Sequence, residues 1–138
     1  MTARLIRLFG IVSLLCVLPG TASAVCSTNG GIAMKRESST TLNVALKIKP
    51  GTIPVSAPFQ VEITVCDRPA RFPTRVTLDA VMPLHQHGMN YKPNVRKLAS
   101  GRYLADGLLF HMPGLWRFEV AAYLDGRPHR FTHDLHVE

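Results

Sequence analysis

Histidine and methionine side chains are concentrated in one short segment of this chain and recur in a second. The first segment contains His85, His87 and Met89, and the second contains His111. A thioether is a soft ligand that selects Cu(I), whereas an imidazole binds Cu(I) or Cu(II). Neither group is consumed by disulfide formation, so such a ligand set survives in an oxidising compartment. These four residues are the predicted metal ligands, and copper is the predicted metal.

The first ligand segment is expected to connect two strands. An apolar alternation over residues 74–82 stops at Pro83, and the chain resumes near Val95. If the segment between them stays extended, residues 85, 87 and 89 project to one side, because side chains alternate with a period of two. The loops of a β-sandwich gather at its two ends. The two ligand segments therefore meet if the strand order places both at the same end.

A purely structural role is the alternative for each predicted ligand. His85 and His87 could form hydrogen bonds within a loop, with Met89 packed beneath them. His111 precedes a proline turn at the end of an apolar run, where a histidine often satisfies a local hydrogen bond. Two other methionines, Met82 and Met112, are predicted to be packing residues or additional thioethers, and packing is favoured for both. Trp116 is expected in the core.

The first 24 residues have the parts of a secretory signal peptide. Arg4 and Arg7 precede an apolar run over residues 8–18, and residues 22–24 form an A-x-A cleavage signal. We expect cleavage before Val25 and export to the periplasm. No later segment approaches the roughly 20 apolar residues that span a bilayer, so we expect a soluble protein without a retained membrane span.

Two cysteines remain after cleavage, because Cys16 belongs to the signal peptide. Cys26 and Cys66 are predicted to form a disulfide in the oxidising periplasm. In the loop-entropy model, closing a loop of this length stabilises the fold by about 4 kcal/mol. The alternative is a pair of thiolate metal ligands, but their wide separation differs from the short spacing of a thiolate metal site.

The rest of the chain shows the two-residue alternation of β-strands. Residues 25–41 are polar without apolar periodicity and are predicted to form a flexible N-terminal segment. Residues 42–138 alternate apolar and polar positions between turn signals such as Pro50-Gly51 and Asp125-Gly126. About seven short strands in one domain predict an all-β fold, an immunoglobulin-like antiparallel β-sandwich. A small barrel is the competing architecture.

Charge and motifs exclude several classes of function. Loss of Arg4 and Arg7 lowers the formal net charge from +7 to +5, and the remaining basic residues form no stripe with interleaved aromatics, so no nucleic-acid partner is predicted. A blue-copper centre needs a cysteine thiolate, which the predicted disulfide consumes. No Asp or Glu lies between Asp79 and Asp106 to serve as the general base of a hydrolytic zinc site. The protein is therefore predicted not to be an enzyme.

Three segments of the sequence resemble the periplasmic YtkA-like/FixH-like domains: PFQVEITVC, DAVMPLHQHGMNYKP and GRYLADGLLFHMPGLWRFEV. The resemblance covers roughly residues 55–137. It implies an immunoglobulin-like sandwich whose histidine loop and later HMPG turn form a metal-handling edge, in a family associated with copper and cytochrome oxidase biogenesis. Carried over residue by residue, the resemblance implies that His85, His87, Met89 and His111 form this metal-handling edge.

These observations predict a soluble periplasmic copper-binding protein. It would act as a carrier, buffer or metallochaperone that supplies a periplasmic or membrane cuproenzyme by ligand exchange. One alternative is an immunoglobulin-like interaction module that binds a protein partner without metal through Tyr91 and Met89. Another is an accessory factor in the assembly of a respiratory complex.

Mass spectrometry of the exported protein tests the predicted processing. The intact mass is expected to correspond to a chain that begins at Val25 and is two hydrogens lighter than the fully reduced form, because Cys26 and Cys66 are joined. A peptide linking the two cysteines should appear in a non-reduced digest and vanish after reduction. A full-length mass, or two free thiols in the exported form, would contradict the prediction.

Overall fold

The computed structural model describes residues 28, 30–68 and 70–138, and its regular secondary structure consists of β-strands. The strands, in chain order, are β1 (Ile32–Ala33), β2 (Lys35–Arg36), β3 (Asn43–Lys49), β4 (Phe59–Cys66), β5 (Arg75–Met82), β6 (His87–Gly88), β7 (Asn94–Ala99), β8 (Arg102–Leu108), β9 (Gly114–Leu124) and β10 (Arg127–Val137).

The strands form two antiparallel sheets of five strands each. One sheet has the order β1-β3-β4-β8-β7, and the other has the order β2-β10-β9-β5-β6. The seven longer strands fall into groups of four and three, in the same order as the A-B-E-D and G-F-C sheets of an immunoglobulin constant-type domain. The predicted β-sandwich of about seven strands is confirmed. The competing barrel is not formed, because the two sheets stay separate.

The core lies between the two sheets and follows the alternation seen in the sequence. On β4 the inward positions are Phe59 and every second residue after it, and on β9 they are Trp116 and every second residue after it; these side chains are buried. Phe110 joins them from the β8–β9 connection and stacks on the Trp116 indole with ring centroids 4.1 Å apart. Stacking of this kind adds to the free energy gained from burying apolar surface.

Part of the segment predicted to be flexible is paired with both sheets. β1 pairs with β3, and β2 pairs with β10, so the chain crosses from one sheet to the other between them. Met34 lies at this crossing, is buried, and donates its backbone N–H to the Val44 carbonyl oxygen at 2.9 Å. These strands show no periodic signal in the sequence, because two residues are too few for a period to be seen.

Several N-terminal predictions fall outside the described residues. They are the signal peptide (residues 1–24), the start of the exported chain at Val25, and the Cys26 half of the disulfide. The other half, Cys66, ends β4 and is buried. The disulfide therefore stays a prediction. Within the described residues, no helix has the length and apolar character needed to cross a membrane.

The turn between β7 and β8 lies at the end of the sandwich opposite the β8–β9 connection, and its glycine is tightly packed. Gly101 has a φ of 70°, and a Cβ there would lie 2.5 Å from the Val65 carbonyl oxygen. Gly107 has a similar φ of 79°, with nothing within 4 Å of such a Cβ. We expect Gly107→Ala to lower the free energy of unfolding by about 1–2 kcal/mol, the cost of left-handed backbone for an L residue. Gly101→Ala should cost about 1–3 kcal/mol more because of the overlap.

Urea denaturation of the two variants measures this difference. Gly107→Ala is the matched control, since it carries the same backbone strain without the steric contact. Equal losses of stability in the two variants would contradict the tight packing of Gly101 against β4.

Candidate metal centre

Three loops meet at one end of the sandwich, which we call the histidine end: residues 50–58, 83–86 and 109–113. They follow β3, β5 and β8. A parallel bridge joins Val55 to Phe110, and the Ser56 backbone N–H donates to the Phe110 carbonyl oxygen at 2.7 Å. The first and third loops are therefore connected by backbone hydrogen bonding. The second loop is connected to the third by the contact between the His87 and His111 rings.

A tight turn positions the first histidines. The Met82 carbonyl oxygen accepts hydrogen bonds from the backbone N–H groups of His85, at 3.1 Å, and Gln86, at 2.9 Å. Gln86 adopts a φ of 52°, and the chain then pairs back on β5, with His87 opposite Met82. The expectation that residues 85–89 are all extended is wrong for His85, because these local hydrogen bonds place it in the turn.

His87 faces the core side of the sheet and is half-buried. It lies opposite Met82, which is 2% exposed, and directly opposed residues of an antiparallel pair project from the same face. Its Nδ1 lies 3.3 Å from the Gly88 carbonyl oxygen. Because a carbonyl oxygen can only accept, Nδ1 of a neutral His87 is the donor, and the lone pair of Nε2 is left available to a metal.

His111 approaches His87 from the third loop. Their ring centroids lie 5.3 Å apart, and both rings stand nearly perpendicular to the Trp116 indole, with centroids 6.1 Å (His87) and 5.7 Å (His111) from it. The Nδ1 atom of His111 is buried and has no hydrogen-bond partner among the described residues. Leaving such an atom unpaired costs about 1–3 kcal/mol, so the fold keeps an unfavourable polar atom at this position.

The spacing of the rings suits a shared metal ion. Two imidazoles bound to one ion at about 2.0 Å have ring centroids roughly 5–6.5 Å apart. The separation of His87 and His111 is 5.3 Å and that of His85 and His87 is 5.9 Å. Packed aromatic rings also lie at such distances. The unpartnered Nδ1 of His111 is a feature that ring packing alone does not require.

The three histidines do not converge as one set of ligands. Within residues 28, 30–68 and 70–138, no three or more His, Cys, Asp or Glu side chains are placed to hold one metal ion. His85 is exposed in the turn, whereas His87 and His111 are half-buried. The arrangement therefore offers one imidazole pair, which further ligands must supplement.

The methionines of the histidine end differ in exposure. Met82 is a packing residue as predicted, and its Cε lies 2.8 Å from where a Cβ on Gly114 would stand. Met89 is 9% exposed, and its backbone N–H donates to the Ala80 carbonyl oxygen at 3.2 Å. Met112 was expected to pack, but its side chain is 36% exposed beside His111. Its loop is instead fixed through the backbone, since its carbonyl oxygen accepts the indole N–H of the following tryptophan.

Comparisons with known proteins support the fold alone. No family model and no curated protein matches the chain. Among solved structures, a DUF4426 family protein from Pseudomonas aeruginosa is similar, with a TM-score of 0.51 and 14% identity over 75% of this chain and 94% of that chain. The resemblance to the YtkA-like/FixH-like domains stays a prediction.

Replacing His111 tests whether its buried nitrogen is a structural liability. We expect His111→Phe to keep or raise the free energy of unfolding of the metal-free protein, because the substitution removes an unpartnered polar atom and keeps an aromatic ring. Tyr103→Phe is the contrasting control: the Tyr103 hydroxyl donates to the Pro73 carbonyl oxygen at 2.9 Å, so its removal should cost about 1 kcal/mol. Thermal and urea denaturation measure both. A loss above about 1 kcal/mol for His111→Phe would indicate a structural histidine.

Proposed function

We propose that this chain is an exported, periplasmic copper-binding protein that carries or buffers copper for a periplasmic or membrane cuproenzyme. The observation that supports the proposal is the His87–His111 pair, in which two separate loops bring half-buried imidazoles to 5.3 Å and one buried nitrogen lacks a partner. A bound metal ion would give that nitrogen the interaction that the protein alone does not provide.

The chemistry of the histidine end favours copper among the common metals. Its loops contain imidazoles and thioethers but no Asp or Glu. Hard cations such as Ca²⁺ and Mg²⁺ require oxygen ligands, whereas neutral nitrogen and sulfur ligands suit Cu(I). His87 and His111 would hold the ion, and Met89 or Met112 would add a thioether.

The exposed position of His85 suits the transfer of a metal. Its ring lies in the turn, 5.9 Å from that of His87, and faces solvent more than either member of the pair. An incoming ion can bind this imidazole first and then pass to the half-buried pair, and departure reverses the order. The His/Met set would thus support reversible binding and ligand exchange, without a chemical reaction at the metal.

A second candidate function is an interaction module that works without metal. Its support is Tyr91, which follows β6 and is 62% exposed. The other proposed contact residue, Met89, is only 9% exposed and offers little surface to a partner. If this alternative holds, alanine at Tyr91 weakens partner capture more than alanine at His85, and added copper has no effect.

A Cu(I) competition titration against a chromophoric chelator tests the copper proposal. Trp116 is the single tryptophan of the chain and lies beside both rings, so copper binding should also quench its fluorescence. We expect His87→Ala/His111→Ala to weaken Cu(I) binding by about 100-fold or more, since even the loss of groups around a metal's ligands costs 10–100-fold.

The matched control is His129→Ala, which removes a half-buried histidine on β10 that pairs with Ala122, towards the opposite end of the sandwich. It should bind Cu(I) like the wild type. Equal binding by the wild type and the His87→Ala/His111→Ala variant, with no quenching of fluorescence, would refute the proposal.

A further inference from the structure

The three loops of the histidine end, residues 50–58, 83–86 and 109–113, contain no Asp, Glu, Lys or Arg, although 18% of the residues in the chain are charged. Beside them, Glu138 follows Val137, which pairs with Gly114 at the start of β9. The opposite end differs, because the loops at residues 67–74 and 125–126 carry four charged residues. They are Asp67, Arg68, Arg71 and Asp125.

The same end exposes large apolar side chains next to the histidines. Leu84 is 79% exposed in the turn that contains His85, and Met112 is 36% exposed immediately after His111. A surface that combines exposed apolar groups with a depletion of charge has the composition of an interface centre. Leu84 precedes His85 and Met112 follows His111, so a protein that covers both residues also lies over the two loops that carry these histidines.

The imidazole pair leaves a copper ion short of ligands. His87 and His111 supply two nitrogens, and no third His, Cys, Asp or Glu of the described chain joins them. A thioether from Met89 or Met112 would raise the number of ligands to three, which still leaves an open position on a four-coordinate ion. A second copy of the same end would bring two more imidazoles, which could replace the thioether and fill the open position.

We propose that two copies of this chain join through their histidine ends and share one copper ion between the His87–His111 pairs of both chains. The inference rests on the proposed copper-binding function and specifies how the site is completed. The contact is symmetric, with the same surface contributed by each chain, as in most homodimers. Leu84 and Met112 of both copies would be covered in the contact.

The charge distribution explains why a second copy fits this end. Each chain carries a net positive charge, which disfavours unspecific contact between two copies. The three uncharged loops of the histidine end can meet those of a second copy without like-charge contacts between them. Its three loops hold fewer residues than the roughly 20–30 that each partner contributes to a standard interface. The contact should therefore be weak without metal and form when copper bridges the two chains.

Sedimentation velocity of the purified protein, with and without Cu(I) added under anaerobic reducing conditions, tests the inference. The metal-free protein should sediment as a monomer. The loaded protein should sediment as a dimer that contains one copper for every two chains. Leu84→Glu should abolish the dimer, because two carboxylates then face each other in an apolar contact. It should leave the imidazole pair intact.

Leu98→Glu is the matched control, since Leu98 is 41% exposed on the edge strand β7, outside the histidine end. This variant should dimerise like the wild type.

Monomers that bind one copper per chain would overturn the shared site and leave the copper-binding function standing, whereas absence of copper binding would refute both. Dimerisation of Leu84→Glu equal to that of the wild type would also overturn it. So would flotation of the loaded protein with phosphatidylglycerol vesicles as a monomer, since the end would then face a membrane.

Discussion

The stack of Phe110 on Trp116 is the contact that holds the candidate site together. The two rings lie 4.1 Å apart and nearly parallel, and the indole N–H donates to the Met112 carbonyl oxygen at 3.1 Å. These contacts fix both ends of the loop that carries His111. His87 then packs against the edge of the same ring cluster from the β5–β6 hairpin. The positions of the His87 and His111 imidazoles therefore depend on core packing as well as on the hydrogen bonds of the turn at residues 83–86.

Most of the fold could be predicted from the sequence, because the inward side chains of strands such as β4 and β9 alternate strictly. The meeting of the two histidine loops also follows from a sandwich, which has only two ends for its loops. The strands β1 and β2 could not be predicted, since two residues show no period. The turn at His85 and the unpartnered nitrogen of His111 could not be predicted either. Both depend on which hydrogen bonds the folded chain makes.

The histidine end has three features that are unfavourable for stability or solubility. It keeps an unpaired buried nitrogen on His111, exposes Leu84 to solvent, and carries no charged residue in its three loops. Each feature lowers stability or solubility. Under the proposed function, all three would become favourable when a soft metal binds the imidazoles and a second surface covers the loops. Functional sites commonly break local rules in this way.

We propose that His87 and His111 bind the same copper ion. A crystal structure of the copper-loaded protein, with anomalous scattering at the copper edge, locates the ion. A shared site should give one anomalous peak within about 2.0–2.5 Å of a ring nitrogen of each histidine. The proposal would be contradicted if the copper bound elsewhere, with the Nδ1 of His111 hydrogen-bonded to a protein group or an ordered water.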